Sequence, residues 1–479
     1  MKLKWIFIIL IFALGFTVRL YKFNAPIADW HSWRQTDTSA VSVFFVEKGF
    51  DLLHPRYYDL SNVPSGVHDN PEGYRFVEFP IYNLFQGGLF KIFGFFTIEQ
   101  WGRLVTIFSS LVSAFFIFLI VKKYLSERAG LIASFFYLFI PFNIYFSRVI
   151  LPDQSMVTAV LGGVYFFDVW IEDKKFSIFN FQFLIALIFT AAALLLKPFA
   201  VFFMLPMLYL AFEKFGLNFL KKWQLWFFAI TSVLPLVLWR LWEFQYPGGI
   251  PQSGWLLNGG NIRFKGAFFY WIFGERVGKL ILGYWGLPLL IFGLIHKIPQ
   301  KSYFFFLSFL ASSLLYITVV ARGNVQHDYY QILIIPSISI FLALGTEYLL
   351  NIKENHIKFF PYLILIILSL FMLFFGWYYV RDFYTIQHES FIRAGREIDK
   401  LIPKDAKVIV PNDGDTTPLY FIKRQGWASF EKEMPQMIKM GADYIVLLEP
   451  KEENFNIKNE FKIISYSKDY ILVDLHQKQ

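Results

Sequence analysis

WHSWRQTDTSAVSVFFVEKGF, residues 30–50, is the stretch from which the organisation of this 479-residue chain can be worked out. It follows the first hydrophobic run of the chain and contains His31, Arg34, Gln35 and Asp37 before it continues as an amphipathic helical pattern. Ionisable residues held against a membrane are costly and are usually retained for a function. The stretch therefore predicts a functional region at a membrane surface.

The composition of the whole chain indicates a polytopic membrane protein. It is 56% hydrophobic and 21% aromatic, with 60 phenylalanines and a mean hydropathy of +0.46, and a soluble protein of this length would be much less apolar. The absence of cysteine excludes disulfides and thiolate metal sites. The net charge of +9 could suggest nucleic acid, but lysine and arginine lie beside apolar runs, which indicates the lipid bilayer as the partner instead.

Hydropathy predicts about eleven membrane spans of roughly 20 residues each. The first, residues 5–18, could be a signal peptide, but no small-residue cleavage site follows, so we interpret it as an uncleaved span. Lys2 and Lys4 place the N-terminus in the cytoplasm. The other predicted spans are 104–121, 129–146, 154–171, 176–196, 199–212, 223–241, 280–295, 303–320, 329–350 and 359–379. The lysine-rich loops between them fall nearly all on one side, as the positive-inside rule requires.

The predicted fold class is an α-helical polytopic membrane protein with a small C-terminal α/β domain. Residues 1–380 form the transmembrane domain, and its first outer loop, 21–103, contains two helices that we expect in the plane of the interface, at 39–46 and 80–93.

The C-terminal region, residues 381–479, contains the short β-rich runs KVIVP, DYIVLLEP and YILVDL. Helical patterns at 390–400 and 433–440 lie between these runs. We therefore expect a soluble α/β domain on the extracytoplasmic side.

The predicted topology collects the unusual polar residues on the outer side of the membrane. They are Asp29, His31, Arg34, Asp37 and Glu78 in the first outer loop, Arg148 and Asp153 at the second outer turn, Lys197 above the fifth span, and His327, Tyr329 and Tyr330 at the start of the tenth. Simpler roles are available, since Asp37 could cap a helix and Lys197 could anchor a helix end. Acids, cations and a histidine on one membrane face nevertheless favour a reaction site.

Several motifs occur in a characteristic order: RLYKFNAP, HSWRQTDTSAVSVFFVEKG, VEFPIYNLF, FSRVILPDQSM, LLLKPFA, HDYYQILIIP and DGDTTPLYFIKRQGW. In these motifs the chain resembles the polytopic glycosyltransferases of the GT-C class. It is most similar to the bacterial branch related to protein mannosyltransferases and the lipid A aminoarabinose transferase. The resemblance implies an enzyme of the cell membrane that transfers a sugar from a polyprenyl-phosphate donor to a hydroxyl of a glycan, lipid or protein acceptor.

The resemblance also implies roles for individual residues. Asp37 is our first choice for the catalytic base, Asp29 is the second, and Asp153 matches a second family acid. The other assignments are Arg148, Lys197 and Arg34 for the donor phosphate, His31, Gln35, Tyr329 and Tyr330 for substrate, and Glu78 and His327 for a possible divalent metal. Phosphate is the leaving group, so a single displacement would invert the anomeric configuration.

Two other classes of protein remain as alternatives. A lipid or solute transporter or flippase would place its polar residues near the middle of the membrane and would show paired repeats, which this sequence lacks. A membrane scaffold that binds a partner through its C-terminal domain would not need acids and cations in separate outer loops.

Overall fold

The computed structural model describes residues 2–352, 359–450 and 460–478. These residues form two compact units. The helical unit comprises Met1–Phe23, Arg103–Leu238 and Ser253–Phe383. The mixed unit comprises Asn24–Gly102, Trp239–Gln252 and Tyr384–Gln479, so it combines the first long loop with the C-terminal region.

Most of the predicted spans are long apolar helices, and this confirms the predicted fold class. In the part of the chain that the structure describes, seven stretches can cross a membrane: Ile98–Tyr124, Asp153–Glu172, Pro198–Lys221, Trp223–Glu243, Gln300–Val319, Asp328–Leu350 and Phe360–Leu401. Two shorter apolar helices, Ile6–Arg19 and Phe181–Leu196, correspond to two further predicted spans. Among these seven stretches, Asp328–Leu350 is the most enclosed, because 94% of its most apolar part is buried.

Several predicted spans are divided into shorter helices. Residues 129–146 form Glu127–Phe139 and Pro141–Phe146, because Pro141 has no backbone N–H to continue the first helix. The span predicted at 280–295 is shorter, Leu287–Ile295, and a π-helix, Tyr270–Ile281, precedes it.

The spans predicted at 199–212 and 329–350 both begin as 3₁₀ helices, Pro198–Met204 and Asp328–Ile334. They continue as the α-helices Leu205–Phe215 and Ile335–Leu350. Five further α-helices are Lys2–Arg19, Trp255–Asn258, Gly266–Phe269, Ala321–Gln326 and Phe360–Val380. Three further 3₁₀ helices are Gly216–Lys221, Gly259–Phe264 and Arg381–Tyr384.

Two glycines allow two helices of the helical unit to approach each other closely. Gly293 in Leu287–Ile295 and Gly345 in Ile335–Leu350 face each other's backbones. A Cβ atom on Gly293 would lie 1.9 Å from the Phe341 carbonyl oxygen, and one on Gly345 would lie 1.9 Å from that of Leu289. Small residues at such crossings are the usual means of close helix packing in membranes.

Among its described residues, the mixed unit contains a five-stranded sheet. Its strands are β1 (Val408–Ile409), β2 (Gly426–Trp427), β3 (Tyr444–Leu448), β4 (Phe461–Tyr466) and β5 (Tyr470–Lys478), in the spatial order β2-β1-β3-β5-β4. β1 pairs in parallel with β2 and β3, whereas β5 is antiparallel to β3 and β4. The helices of this unit are Ser32–Lys48, Ile81–Phe93, Pro247–Gly249, Glu389–Leu401, Thr417–Ile422 and Met434–Lys439. The α/β character predicted for the C-terminal region is thus confirmed.

A segment of the first long loop extends this sheet beyond β2. The N–H of Leu60 donates to the Gly426 carbonyl over 2.7 Å, and the N–H of Gly426 donates to the Tyr58 carbonyl over 2.9 Å. Leu60 is also buried in the hydrophobic core of the sheet, next to residues such as Ile409 and Trp427. The first loop and the C-terminal region therefore share one core.

Candidate functional site

The opening stretch of the sequence forms the start of the helix Ser32–Lys48. His31 adopts a left-handed conformation with φ 58°, and its carbonyl accepts the N–H groups of Arg34 and Gln35 over 3.1 and 3.3 Å. The helix then buries polar side chains, among them Arg34, Gln35 and Asp37. Buried polar groups need partners, so the contacts of each one show what the helix holds in place.

Both carboxylate oxygens of Asp37 are engaged. Oδ1 accepts a hydrogen bond from the Thr416 hydroxyl over 2.6 Å, and Oδ2 lies 2.9 Å from Nη1 of Arg75. Asp37 is only 6% exposed, and the Arg75 guanidinium also lies over the Tyr57 ring, 5.0 Å from its centroid. We name this arrangement of Asp37, Arg75 and Thr416 the Asp37 clamp.

The other predicted residues of the first loop pair among themselves. Nε2 of Gln35 donates to Oδ1 of the buried Asp29 over 2.7 Å and also to the Trp30 carbonyl. Nη2 of Arg34 donates to the carboxylate of Glu78, and both side chains are mostly buried. The ring of His31 lies beside that of Trp30, with 5.1 Å between their centroids.

Two further acids of the mixed unit, the buried Asp59 and the half-buried Asp415, have raised pKa values. Burial raises the pKa of Asp59 to about 7, although the backbone N–H and hydroxyl of Ser61 donate to its carboxylate. Burial also raises the pKa of Asp415, whose Oδ1 accepts the N–H of Thr417 over 2.8 Å. Acids with raised pKa values are frequent at functional sites, and they also occur in purely structural networks.

In the helical unit, Asp153 and Lys197 form a buried ion pair. Lys197 follows the last residue of the helix Phe181–Leu196, and Asp153 is the first residue of Asp153–Glu172. Nζ of Lys197 lies 2.8 Å from Oδ1 of Asp153, and Lys197 is 6% exposed. At this distance the ammonium and the carboxylate are in direct charge-assisted contact.

Aromatic rings complete the surroundings of Lys197. Its ammonium lies 5.6 Å from the ring centroid of Tyr329 and 5.4 Å from that of Tyr330. The ring of His327 stacks on both tyrosines, with centroid distances of 5.4 and 6.0 Å. Asp153, Lys197, His327, Tyr329 and Tyr330, which the sequence predicted in three separate segments, therefore form one cluster, which we name the Lys197 cluster.

Arg148 has a different environment. Its Nη1 donates to the carbonyls of Tyr21 and Lys22 over 2.9 and 3.2 Å, and its guanidinium lies over the Tyr145 ring. These contacts connect the end of the first helical segment to the turn after Pro141–Phe146. Its predicted role toward the donor phosphate stays a prediction.

Each of the two predicted metal residues has another contact. Glu78 pairs with Arg34, and His327 stacks on tyrosines. Within residues 2–352, 359–450 and 460–478 no group of three or more histidines and acids is arranged to hold a metal ion.

Sequence reasoning did not find the two partners of Asp37. Arg75 lies in the polar middle of the first long loop and has no local pattern that distinguishes it from the other charged residues there. Thr416 lies in the motif DGDTTPLYFIKRQGW, so the segment was singled out, but the contact of its hydroxyl with Asp37 was not predicted. That the Asp37 clamp and the Lys197 cluster serve one reaction likewise stays a prediction.

Comparisons with known proteins agree with this architecture. The family described as dolichyl-phosphate-mannose-protein mannosyltransferase matches residues 71–242, and a search of curated proteins finds no match. The crystal structure of ArnT from Cupriavidus metallidurans bound to undecaprenyl phosphate is similar with a TM-score of 0.66 and 12% identity, over 98% of each chain.

Two structures of an oligosaccharyltransferase from Archaeoglobus fulgidus are also similar. The complex with zinc and sulfate has a TM-score of 0.58 and 10% identity over 97% of this chain and 73% of that one. The complex of AglB with an inhibitory peptide and a dolichol-phosphate has a TM-score of 0.57 and 9% identity over 97% and 74%. This polytopic membrane protein therefore has the fold of the GT-C class, as the resemblance in its motifs predicted.

Proposed function

We propose that this protein is a membrane glycosyltransferase that moves a sugar from a polyprenyl-phosphate donor to an acceptor hydroxyl. The observation that carries the proposal is the similarity of fold over 98% of the chain to a protein crystallised with undecaprenyl phosphate. The archaeal structure with a dolichol-phosphate supports the same class of lipid. We place the reaction on the extracytoplasmic face of the cell membrane, because the predicted topology collects the polar residues there.

Asp37 is the proposed base. The acceptor oxygen attacks C1 of the sugar and gives its proton to the carboxylate, while the bond from C1 to the phosphate oxygen breaks and its electron pair leaves with the phosphate. One such displacement inverts the anomeric configuration. A carboxylate has about four acceptor positions, so the contacts with Arg75 and Thr416 leave room for the acceptor hydroxyl. Asp29 is the alternative base, and its hydrogen bond from Gln35 occupies one of its positions.

Lys197 is the proposed contact of the leaving phosphate. The departing group gains negative charge, and a cation fixed in a site with little water stabilises that charge strongly. The Lys197 ammonium is buried and is positioned by Asp153, Tyr329 and Tyr330. We assign supporting contacts with substrate to these tyrosines, and to His31 and Gln35 near Asp37.

The test uses the purified protein in lipid nanodiscs with radiolabelled polyprenyl-phosphate sugars and a fraction of envelope glycans, lipids and proteins as acceptors. Wild-type protein should release polyprenyl phosphate and label an acceptor. Asp37→Asn should lower kcat by about 100-fold or more and should still bind the donor. Lys197→Met should weaken donor binding by about 10-fold or more, because a charge-assisted contact is lost.

Four results would contradict the proposal or its assignments. Lipid movement across liposomes without any sugar transfer would make the protein a transporter. Full activity of Asp37→Asn would remove Asp37 as the base, and loss of activity in Asp29→Asn alone would give that role to Asp29. Unchanged donor binding in Lys197→Met would remove Lys197 from the phosphate site.

A further inference from the structure

We infer that Thr416, in the C-terminal region, is a positioning residue that orients the carboxylate of Asp37 for proton transfer. The inference rests on the proposed function and adds a role for the C-terminal region within the reaction. Its first support is the hydrogen bond of 2.6 Å from the Thr416 hydroxyl to Oδ1 of Asp37, between two side chains that are each 6% exposed.

Both oxygens of the Asp37 carboxylate are held. Arg75 contacts Oδ2 over 2.9 Å, and rotation about the bond from the carboxylate to Cβ would break this contact. The hydroxyl of Thr416 holds the other oxygen, so loss of this hydrogen bond leaves the orientation of the carboxylate to Arg75 alone. A base must present its lone pair within hydrogen-bond reach of the proton that it accepts, and small errors in orientation are costly.

The turn before Thr416 is hydrogen-bonded to the residue that follows β2. The N–H groups of Asn412 and Gly414 both donate to the Ala428 carbonyl, over 2.8 and 3.1 Å, just after β2. Gly414 has φ +82°, a conformation that side chains disfavour, and it allows the chain to reverse toward Asp415. The carboxylate of Asp415 then accepts the N–H of Thr417 and closes the turn around Thr416.

The short helix Thr417–Ile422 is also attached to the helix that carries Asp37. The hydroxyl of Thr417 donates to that of Ser32 over 3.2 Å, and the hydroxyl of Tyr420 lies 3.0 Å from that of Ser39. The Tyr420 hydroxyl donates to Oε1 of Glu99 over 2.7 Å. The helix that follows Thr416 therefore contacts the helix Ser32–Lys48 both before Asp37, at Ser32, and after it, at Ser39.

The experiment compares Thr416→Val with a matched control on the next residue. Thr417→Val removes a buried hydroxyl and a hydrogen bond between the same two helical segments, but it does not touch Asp37. Thr416→Val should lower kcat by about 10- to 100-fold, the range expected for one hydrogen bond to a charged group, and should leave KM for the donor within about twofold. Thr416→Ser should recover most of the activity, and Thr417→Val, which keeps the hydrogen bond to Asp37, should lose clearly less activity than Thr416→Val.

A double variant separates positioning from a loss of folding. Adding Thr416→Val to Asp37→Asn should cause no further loss, because the group that Thr416 orients is already inactive. Wild-type kcat in Thr416→Val, equal losses in Thr416→Val and Thr417→Val, or an additional loss in the double variant would each overturn the inference. If the wild-type protein transfers no sugar, the proposed function itself fails and this inference falls with it. If the wild type is active and Asp37→Asn keeps only a small residual activity, the double variant tests Thr416 alone.

Discussion

The buried acid Asp59 should make the stability of the mixed unit depend on pH. The direction in which burial shifts its pKa determines whether stability rises or falls with pH. Asp59 is 1% exposed, and burial raises the pKa of its carboxyl to about 7, whereas an unfolded chain has an aspartate pKa of about 3.9. Between these values the folded state binds more protons than the unfolded state. The free energy of unfolding should therefore fall as the pH rises from about 4 to about 7, and Asp59 should add no further change above that range.

The difference between the two pKa values corresponds to about 4 kcal/mol as an upper value. Asp59→Asn removes the titration and keeps the shape of the side chain. The hydroxyls of Ser61 and Tyr57, which donate to Oδ2, can accept from the new amide instead. The variant should therefore be more stable than wild type at pH 8, and the two proteins should converge near pH 4.

The measurement is hydrogen exchange of the peptides that contain Leu60 and Gly426, in detergent, between pH 5 and pH 8. Their N–H groups form the pairing next to Asp59, so their opening free energies report the local stability. After correction for intrinsic exchange, protection in wild type should decrease with pH relative to Asp59→Asn. A difference between the two proteins that does not change with pH would refute the reasoning.

Two further predictions concern packing and charge. Gly293→Ala or Gly345→Ala should strongly lower the melting temperature in detergent, because the new Cβ atom would lie 1.9 Å from a backbone carbonyl oxygen. The control is Gly88→Ala, whose Cβ atom would have no neighbouring atom within 4 Å, and it should leave the melting temperature unchanged. Equal melting temperatures in the three variants would contradict the close helix crossing. Arg75→Met should destabilise the mixed unit by about 3 kcal/mol or more, because it leaves the Asp37 carboxylate buried without its cation. Adding Asp37→Asn removes the unpaired charge and should recover most of this loss in the same thermal assay. A double variant as unstable as Arg75→Met alone would show that the loss comes from packing rather than charge.

The sequence by itself determined the class of fold and most of the elements. Apolar runs and their periodicity are properties of consecutive residues, so most of the spans, the two helices of the first long loop, and two helices and three strands of the C-terminal region were predictable. The helix Thr417–Ile422 and the strands β2 and β4 were not predicted. The predicted helix at 390–400 is found as Glu389–Leu401, and the strand in YILVDL is found within Tyr470–Lys478. The break at Pro141 changes a span locally, and the proline is its visible cause.

The tertiary structure alone decided which polar side chains meet. Thr416 and Asp37 are separated by 379 positions, and Lys197 contacts tyrosines from a distant segment, so no local pattern could pair them. The same holds for residues 58–60, whose polar loop sequence gives no sign that Leu60 completes the core of the C-terminal sheet. Burial in a low-dielectric interior makes each of these polar pairings strong, and burial depends on how distant segments pack rather than on the residues beside each group.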